Sequence, residues 1–326
     1  MTAGGGESAA APRRGRAFLG ALGAFALGAI LLVAAFAKVV DPQALGEEIA
    51  RQKLALGLPV AGLALAALAI EAGLGALLVL NVRRTGVLVA ATLLVAFFLF
   101  LTGRQYWRAA HGELDPGAGC GCFGNLVERT PAEAFWQDLL MLGPALALAW
   151  VARSGARRGL PLRVATAMFL ACGTAVFGWR APSLPLDDFA TRLKPGIELA
   201  KHCGGRDAQR VCLDQAAPSI ASGDHYVVIA DPRAPGFGDL VGTLNRYAAS
   251  GRQPPLTVLA ELTPAEQQKI FWTYAPGFDL VEVPGALLRP LYRRLPRAFR
   301  VRDGRVTETW AGLPPFELLE QQTPVP

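Results

Sequence analysis

Long uncharged apolar runs fill the first half of the chain, and a mixed polar pattern follows from about residue 180. A helix needs about 20 apolar residues to cross a hydrocarbon core of roughly 30 Å. Five stretches approach that length: Ala17–Ala37, Leu54–Leu80, Thr85–Gly103, Ala134–Ala152 and Val164–Trp179. The first exceeds the roughly 7–15 apolar residues of a signal peptide and indicates an uncleaved anchor. The pattern therefore predicts an α-helical membrane bundle of five spans.

The second half alternates short β-rich runs with helical stretches. Strands are expected at Tyr226–Ala230, Leu256–Glu261, Phe278–Val283, Arg297–Arg302 and Arg305–Trp310. Helices are expected at Gly238–Ala249, from the N-cap Thr263 to about Tyr274, at Ala286–Tyr292 and at Pro315–Gln321. Asp303-Gly304 between the last two strands is a hairpin signal. The order predicts an α/β sheet with a terminal hairpin.

Composition agrees with a membrane protein. Of 326 residues, 52% are hydrophobic and only 18% charged, and the mean hydropathy of +0.33 is high for a soluble chain. A net charge of +6 and a pI near 9.3 could indicate nucleic-acid binding. Much of the basic excess lies in short loops between apolar runs, where it sets topology and faces anionic lipid. We therefore expect membrane lipid, and no nucleic acid, as a partner.

Basic residues of the short loops predict the orientation. Arg13, Arg14 and Arg16 precede the first run, Arg83 and Arg84 follow the second, and four arginines follow the fourth. The alternate loops hold fewer basic residues, diluted by acids. The N-terminus is therefore expected in the cytoplasm. With five spans the C-terminal domain lies outside, whereas four spans would leave it in the cytoplasm.

The five cysteines divide by position into two pairs and one single residue. Cys120 and Cys122 lie in the third loop and Cys203 and Cys212 in the C-terminal half, both expected outside, where disulfides persist. Cys172 lies within the fifth apolar run and is expected to be a small buried hydrophobe.

The motif Gly119-Cys120-Gly121-Cys122-Phe123-Gly124 carries the most distinctive chemistry. Two thiols separated by one glycine can pair in a small, strained ring, which makes the disulfide easier to reduce. The spacing favours electron exchange over structural stapling. Metal binding is disfavoured because zinc needs four ligands and His111 is the only histidine in this half. A glycine turn with two unreactive thiols stays open.

Glu71 lies in the middle of the second apolar run. An intramembrane carboxylate is costly and usually faces the bundle interior or a functional pathway. It could equally be a protonated acid bonded to a neighbouring helix. Asp138, closer to the end of its run, favours the second reading.

Residues from about Ala17 to Ala152 resemble the methylamine utilisation protein MauE family, within the wider DoxX-like membrane proteins. The matching features are Ala35-Phe36-Ala37-Lys38 with Asp41-Pro42, Leu58-Pro59, Glu71, Gly103-Arg104, the CGCFG motif and Asp138. The resemblance implies a four-helix membrane module that supports maturation of periplasmic enzymes, notably the disulfide-rich small subunit of methylamine dehydrogenase. It also implies a thioredoxin-like partner and, from related membrane folds, quinone as a candidate electron acceptor.

The C-terminal half resembles the thioredoxin-like fold of membrane-tethered thiol oxidoreductases. Leu295-Pro296 stands where that family places a cis-proline. The family's C-x-x-C follows the first strand, where this chain reads Asp231-Pro232-Arg233-Ala234-Pro235-Gly236 and has no cysteine. Cys203 and Cys212 lie upstream. They are expected to form a structural disulfide, or alternatively to exchange with Cys120 and Cys122.

These readings give a domain organisation. We expect a disordered cytoplasmic tail (1–16), a MauE/DoxX-like module (17–152), a fifth transmembrane helix (160–180), a linker with Cys203 and Cys212 (181–224) and a thioredoxin-like periplasmic domain (225–322), all attached to the inner membrane.

The favoured hypothesis is a membrane thiol–disulfide oxidoreductase that acts on a periplasmic client protein. Cys120 and Cys122 would be the exchanging pair, and Glu71 could manage a proton. The alternative is a non-catalytic assembly factor whose degenerate thioredoxin-like domain holds a partner. Small-molecule transport is a third class, without specific support in the loops.

Overall fold

A computed structural model describes residues 11–55, 57–112, 129–153, 159–204, 210–251 and 254–316. The chain divides into two compact units, Met1–Leu184 and Pro185–Pro326. Residues 1–10 of the predicted tail, the Cys120–Cys122 pair and most of the predicted helix Pro315–Gln321 lie outside the described residues.

Helices build the described part of the first unit. They are α1 (Ala11–Val39), α2 (Pro42–Arg51), α3 (Val60–Val79), α4 (Thr85–Ala110), α5 (Pro131–Val151) and α6 (Leu160–Arg180). All except α2 are long and apolar enough to cross a membrane, which confirms the predicted helical membrane bundle. Large apolar side chains remain exposed on their outer faces, as in Phe25, Phe100 and Phe169.

Three details of this unit differ from the sequence-based expectation. Residues 11–16, assigned to a disordered tail, begin α1. The short helix α2, capped by the Asp41 side chain with Pro42 at its first position, lies within the loop before the second span. Cys172 is exposed on α6 rather than buried, because α6 packs mainly against α3 and presents its other faces outward.

Glycines bring α1 close to its neighbours. A Cβ atom on Gly28 would lie 2.6 Å from the Gly75 carbonyl oxygen of α3, and one on Gly23 would lie 2.5 Å from the Ala149 nitrogen of α5. Small residues allow the two backbones to approach this closely. In a membrane such packing drives helix association, because lipid tails are as apolar as the side chains and the hydrophobic effect does not act between helices. α1 is thus the central helix against which α3 and α5 pack.

Polar contacts show which helix ends lie together. Arg83 donates to the Ala152 carbonyl oxygen at 2.6 Å, and Arg163 donates to the Leu80 carbonyl oxygen at 2.8 Å. These contacts join the loop after α3, the end of α5 and the start of α6 at one end of the bundle, called here the Arg83 end. The opposite end, called the Lys38 end, contains the C-terminus of α1, the N-terminus of α3 and the C-terminus of α4.

The second unit is an α/β domain, as expected, with a five-stranded mixed sheet. Its strands are β1 (Cys203–Gly204), β2 (Val211–Cys212), β3 (Asp224–Ile229), β4 (Leu256–Ala260), β5 (Asp279–Glu282), β6 (Arg297–Arg302) and β7 (Arg305–Trp310). Its helices are α7 (Asp187–Ala190), α8 (Leu213–Ala216), α9 (Phe237–Ala249), α10 (Pro264–Tyr274) and α11 (Gly285–Leu288). The main sheet has the order β5-β4-β3-β6-β7, with β3, β4 and β5 parallel and the β6–β7 hairpin antiparallel.

Each face of the sheet has its own apolar core. Phe237, Val241 and Leu244 of α9 and Ile270 of α10 pack on one face. On the other face, residues of α11 pack beside side chains from the segment before β3. Because β3 and β4 are covered on both sides, they are largely apolar runs, as buried parallel strands usually are.

The segment 185–224, which the sequence assigned to a linker, is part of the folded unit. Leu193, Leu199, Leu213 and Ile220 are each at most 1% exposed and belong to the second core. The compact unit therefore begins at Pro185 rather than at His225. The physical reason is that, without this segment, the apolar side chains on one face of the sheet would be exposed to water.

The N-terminus of α10 forms as its sequence predicts. Thr263 accepts from the Glu266 amide and Glu266 reaches back to the Thr263 amide, a capping box that Arg233 extends with bonds of 2.9 and 3.0 Å to Glu266. The Arg233 guanidinium, together with the Thr263 bonds, lowers the pKa of Glu266 from 4.5 to about 2.

Glu266→Gln should therefore change the pH dependence of stability. A carboxylate with a lowered folded pKa stabilises above its unfolded pKa, and that contribution is lost as pH falls from about 4.5 towards 2. Glutamine keeps the capping geometry without the charge. We expect the wild type to be more stable than Glu266→Gln at neutral pH, with the difference closing in that window in thermal unfolding. Glu282→Gln, the same change at an exposed position on β5, is the matched control.

Candidate functional site at one end of the helical bundle

The segment with Cys120 and Cys122 lies outside the described residues, and both of its flanks are described. The chain before it stops at Gly112, just after α4, and resumes at Arg129, two residues before α5. Both flanks lie at the Lys38 end of the bundle. The polar groups at this end are therefore the described neighbours of the predicted redox segment.

Glu71, the predicted supporting residue, is bonded to Lys38. The Lys38 ammonium donates to both carboxylate oxygens at 2.8 Å, and both side chains are almost fully buried, at 6% and 3% exposed. The Lys38 nitrogen also lies 4.9 Å from the centre of the Phe98 ring, a cation–π distance. The charge on α3 is thus compensated from α1.

The directions of the two helices explain this contact. Helical side chains tilt towards the N-terminus of their own helix. Lys38 is at the C-terminal end of α1, so its long side chain extends back into the bundle, and Glu71 on the antiparallel α3 tilts outwards to meet it. The two charges therefore meet below the end of the bundle although their positions along the helices differ.

A second buried pair joins the end of the cysteine segment to α5. Arg129 donates to Asp138 at 3.2 Å, with side chains 7% and 9% exposed. Lys38, Glu71, Arg129 and Asp138 are two cations and two anions in two buried pairs, called here together the buried charge cluster.

A third polar contact ties α2 to α4. Glu48 accepts from Gln105 at 2.7 Å and from Gln52 at 2.6 Å, and it also pairs with Arg51. This network holds the interhelical helix α2 against the C-terminal part of α4, close to where the cysteine segment begins.

Sequence reasoning identified the acids of the buried charge cluster and missed their partners. Lys38 and Arg129 stand next to the ends of apolar runs, where basic residues are usual and indicate topology. The sequence does contain a signal for these partners. Buried charges are usually paired, so two acids within the spans call for two cations, and Lys38 and Arg129 are basic residues close to span ends.

Cys203 and Cys212 form a disulfide in the second unit. They are paired directly across the two-stranded sheet of β1 and β2 and close a short hairpin. The basic neighbours of Cys203 bind elsewhere: Lys201 pairs with Glu198 at 2.7 Å, and a His202 ring nitrogen lies 2.7 Å from the Leu287 carbonyl oxygen. The contacts fit a structural staple, and exchange with Cys120 and Cys122 stays a prediction.

The edge of the main sheet where a C-x-x-C was missing holds a salt bridge. Ile229 at the end of β3 pairs with Arg297 at the start of β6, directly after the cis bond Leu295-Pro296. The segment after β3 thus lies beside this proline. There Asp231 caps a turn by accepting from the Arg233 amide at 2.9 Å, and Arg233 binds Glu266. The arrangement offers charge, without a nucleophile.

Within the described ranges, no group of three or more histidine, cysteine, aspartate or glutamate side chains is placed to hold a metal ion.

Comparison with known protein families identifies a match over the membrane bundle. The family described as methylamine utilisation protein MauE matches residues 16–151, a range that runs from α1 to the end of α5 and includes Cys120 and Cys122. No curated protein and no solved structure matches the chain. The fifth span α6 and the second unit lie outside the matched range.

Proposed function

Residues 16–151 belong to the methylamine utilisation protein MauE family, and from this premise we propose that the chain is a membrane thiol–disulfide redox protein supporting the maturation of an external client protein. Cys120 and Cys122 are the exchanging pair. The family's name makes a protein of methylamine utilisation the first client to test.

The observation that carries the proposal is the disulfide of the second unit. Disulfides persist in oxidising compartments outside the cytoplasm, so Cys203–Cys212 supports an external location for that unit. Two spans, α5 and α6, separate it from the cysteine segment. Two crossings return the chain to the same side, which brings Cys120 and Cys122 to the compartment of the disulfide. The basic residues at the Arg83 end independently support the same orientation.

The proposed exchange moves two electrons and two protons from the client to the cysteine pair. A client thiolate attacks one sulfur of the Cys120–Cys122 disulfide, forms a mixed disulfide and releases the other cysteine as a thiolate. A second client thiolate then attacks the client sulfur of the mixed disulfide and releases the remaining cysteine. The client gains a disulfide, and the pair is left as two thiols holding two electrons and two protons. A membrane quinone, reduced to the quinol, is the class of acceptor that would restore the disulfide.

The buried charge cluster supports this chemistry by fixing the flanks of the segment. Arg129 anchors its C-terminal flank to Asp138, while Glu48 and Gln105 hold the end of α4 on which its N-terminal flank depends. Glu71 and Lys38 lie at the same end of the bundle, and Glu71 is the group proposed to take up the proton.

We assign the second unit a client-binding role with a thioredoxin-like architecture. Three parallel strands, an antiparallel terminal hairpin and the cis bond before β6 support this assignment. Because Asp231–Gly236 contains no cysteine, the unit performs no thiol exchange at that edge. Its proposed role is to present a partner to the cysteine pair of the membrane module.

The test is to trap the exchange in intact cells with the full chain. In Cys120→Ser or Cys122→Ser, the remaining thiol should form mixed disulfides with client proteins, and an impermeant thiol reagent should label it from outside. Cys172→Ser is the matched control, since it removes a cysteine outside the pair. Labelling only from the cytoplasm would refute the proposal. Thiols that never pair under any redox condition, in cells whose client still needs the chain, would favour the non-catalytic assembly factor.

A further inference from the structure

A cavity at the Lys38 end is lined by four cations and one aromatic ring. Its volume is about 370 Å³, and Arg51, Lys53, Arg104, Trp107 and Arg108 form its walls. We propose that this cavity binds a phosphate-type anion, the group carried by an anionic phospholipid headgroup. The proposal is independent of the redox function, since none of its residues belongs to the buried charge cluster or to the cysteine pair.

The charges around the cavity are incompletely compensated. Arg51 pairs with Glu48. For Lys53 and Arg104, no side-chain hydrogen bond or ion pair occurs with any residue the structure describes. Like charges drawn to one cavity repel each other, and an anion between them removes that repulsion. Lys53 and Arg104 are therefore the residues that carry the proposal.

Helix dipoles account for part of the basic set only. Arg108 stands in the last turn of α4 and Arg51 in the last turn of α2, where a cation favours the helix terminus. That effect falls off within the last turn. Arg104 precedes the end of α4 by six residues, so its charge is not explained by its own helix, whereas Lys53 directly follows the C-cap Gln52 of α2.

The backbone at Lys53 adds a second observation. Its φ of 56° lies in the left-handed region, at the helix end where glycine or asparagine is usual. A long basic side chain at such a position costs more than glycine would. The charge is thus placed beside the cavity despite a backbone that favours a smaller residue.

Trp107 points to the membrane interface as the source of the anion. Its side chain is 55% exposed and its ring lies 4.2 Å from that of His111. Tryptophan is enriched at the level of lipid headgroups, and arginine and lysine are the usual ligands of phosphate. The cavity volume lies within the roughly 300–1,000 Å³ typical of small-ligand sites.

The experiment uses the full chain in neutral detergent and follows its thermal stability as phosphatidylglycerol, phosphatidylcholine or inorganic phosphate is added. The test variant combines Lys53→Asn, which suits the left-handed backbone, with Arg104→Gln, which keeps helix propensity. The control combines Lys194→Gln with Lys269→Gln, an equal loss of charge at exposed positions of the second unit.

We expect phosphatidylglycerol to stabilise the wild type more than phosphatidylcholine does. The concentration giving half the effect should rise about fivefold for each removed charge, hence about 25-fold in the test variant, and less than twofold in the control. Competition by inorganic phosphate would identify a site open to free anions, and its failure to compete would identify a headgroup site. An equal response of test variant and control, or no preference for phosphatidylglycerol in the wild type, would overturn the proposal.

Discussion

Replacing Glu71 with alanine is expected to lower the free energy of unfolding of the membrane bundle by about 3–5 kcal/mol. The substitution leaves the Lys38 ammonium buried beside Phe98 without its carboxylate. An uncompensated charge inside a bundle costs far more than the lost contact alone, because neither lipid nor apolar side chains solvate it. The loss of helical structure on titration with sodium dodecyl sulfate would measure the cost.

The double variant Lys38→Met, Glu71→Met separates the charge from the contact. Removing both charges should recover most of the lost stability, since a buried ion pair is often worth little more than an apolar pair of similar volume. Glu47→Ala, the same change at an exposed position of α2, should cost less than about 1 kcal/mol. A small effect of Glu71→Ala would mean that Lys38 reaches water and that the pair is not buried.

The same variants separate stability from proton handling. If the double variant restores the bundle and still supports reoxidation of Cys120 and Cys122, the Lys38–Glu71 pair is structural. If stability returns while reoxidation stops, Glu71 has the proton role that its position in the span predicts. Either result leaves the assignment of the cysteine pair intact.

Sequence reasoning found the spans because a membrane helix is a local property of about 20 residues. It also found α10 to within a residue, because the capping box of Thr263 and Glu266 is encoded within four positions. The strands β6 and β7 were likewise located by the Asp303-Gly304 turn between them. Each of these signals needs no information from distant parts of the chain.

The partners of Glu71 and Asp138 depend on distant parts of the chain. Lys38 is 33 residues from Glu71, and only the antiparallel packing of α1 on α3 brings them together. That packing depends on the close approach at Gly28 and Gly75, where the sequence alone offers several small residues of equal standing. The sequence alone therefore does not identify Lys38 as the partner of Glu71, although a buried carboxylate by itself indicates that a cation is needed.

The segment before β3 was misassigned for a related reason. Its prolines, Pro182, Pro185 and Pro195, resemble those of a linker, and its core residues follow no helical or strand period. Leu193 and Leu213 are buried because a sheet face needs cover, a requirement set by strands that come later in the chain. Irregular segments that complete a core leave no periodic signal.

Combining Asp187→Asn with Asp188→Asn should destabilise the second unit by about 3 kcal/mol, for a reason that also tests this assignment. Arg297 is 2% exposed and binds Asp188 at 2.8 Å, while Asp187 lies 3.6 Å from it and 3.8 Å from the buried Arg293. Neutralising both acids removes the two carboxylates that face the buried Arg297 guanidinium. The expected cost is at the low end for a broken buried pair because Asp188 itself is 62% exposed.

Pulse proteolysis of the full chain in increasing urea would measure this cost through cleavage within the second unit. Asp279→Asn, an exposed position on β5, provides the control and should change stability little. Adding Arg297→Met to the double variant should recover part of the loss, since the buried charge is then gone and its volume is kept. If the acids contribute nothing, the first helix of the unit, Asp187–Ala190, is not needed to hold it together. If they contribute as expected, the unit is held together at its first helix, and truncations meant to isolate it must begin before Asp187.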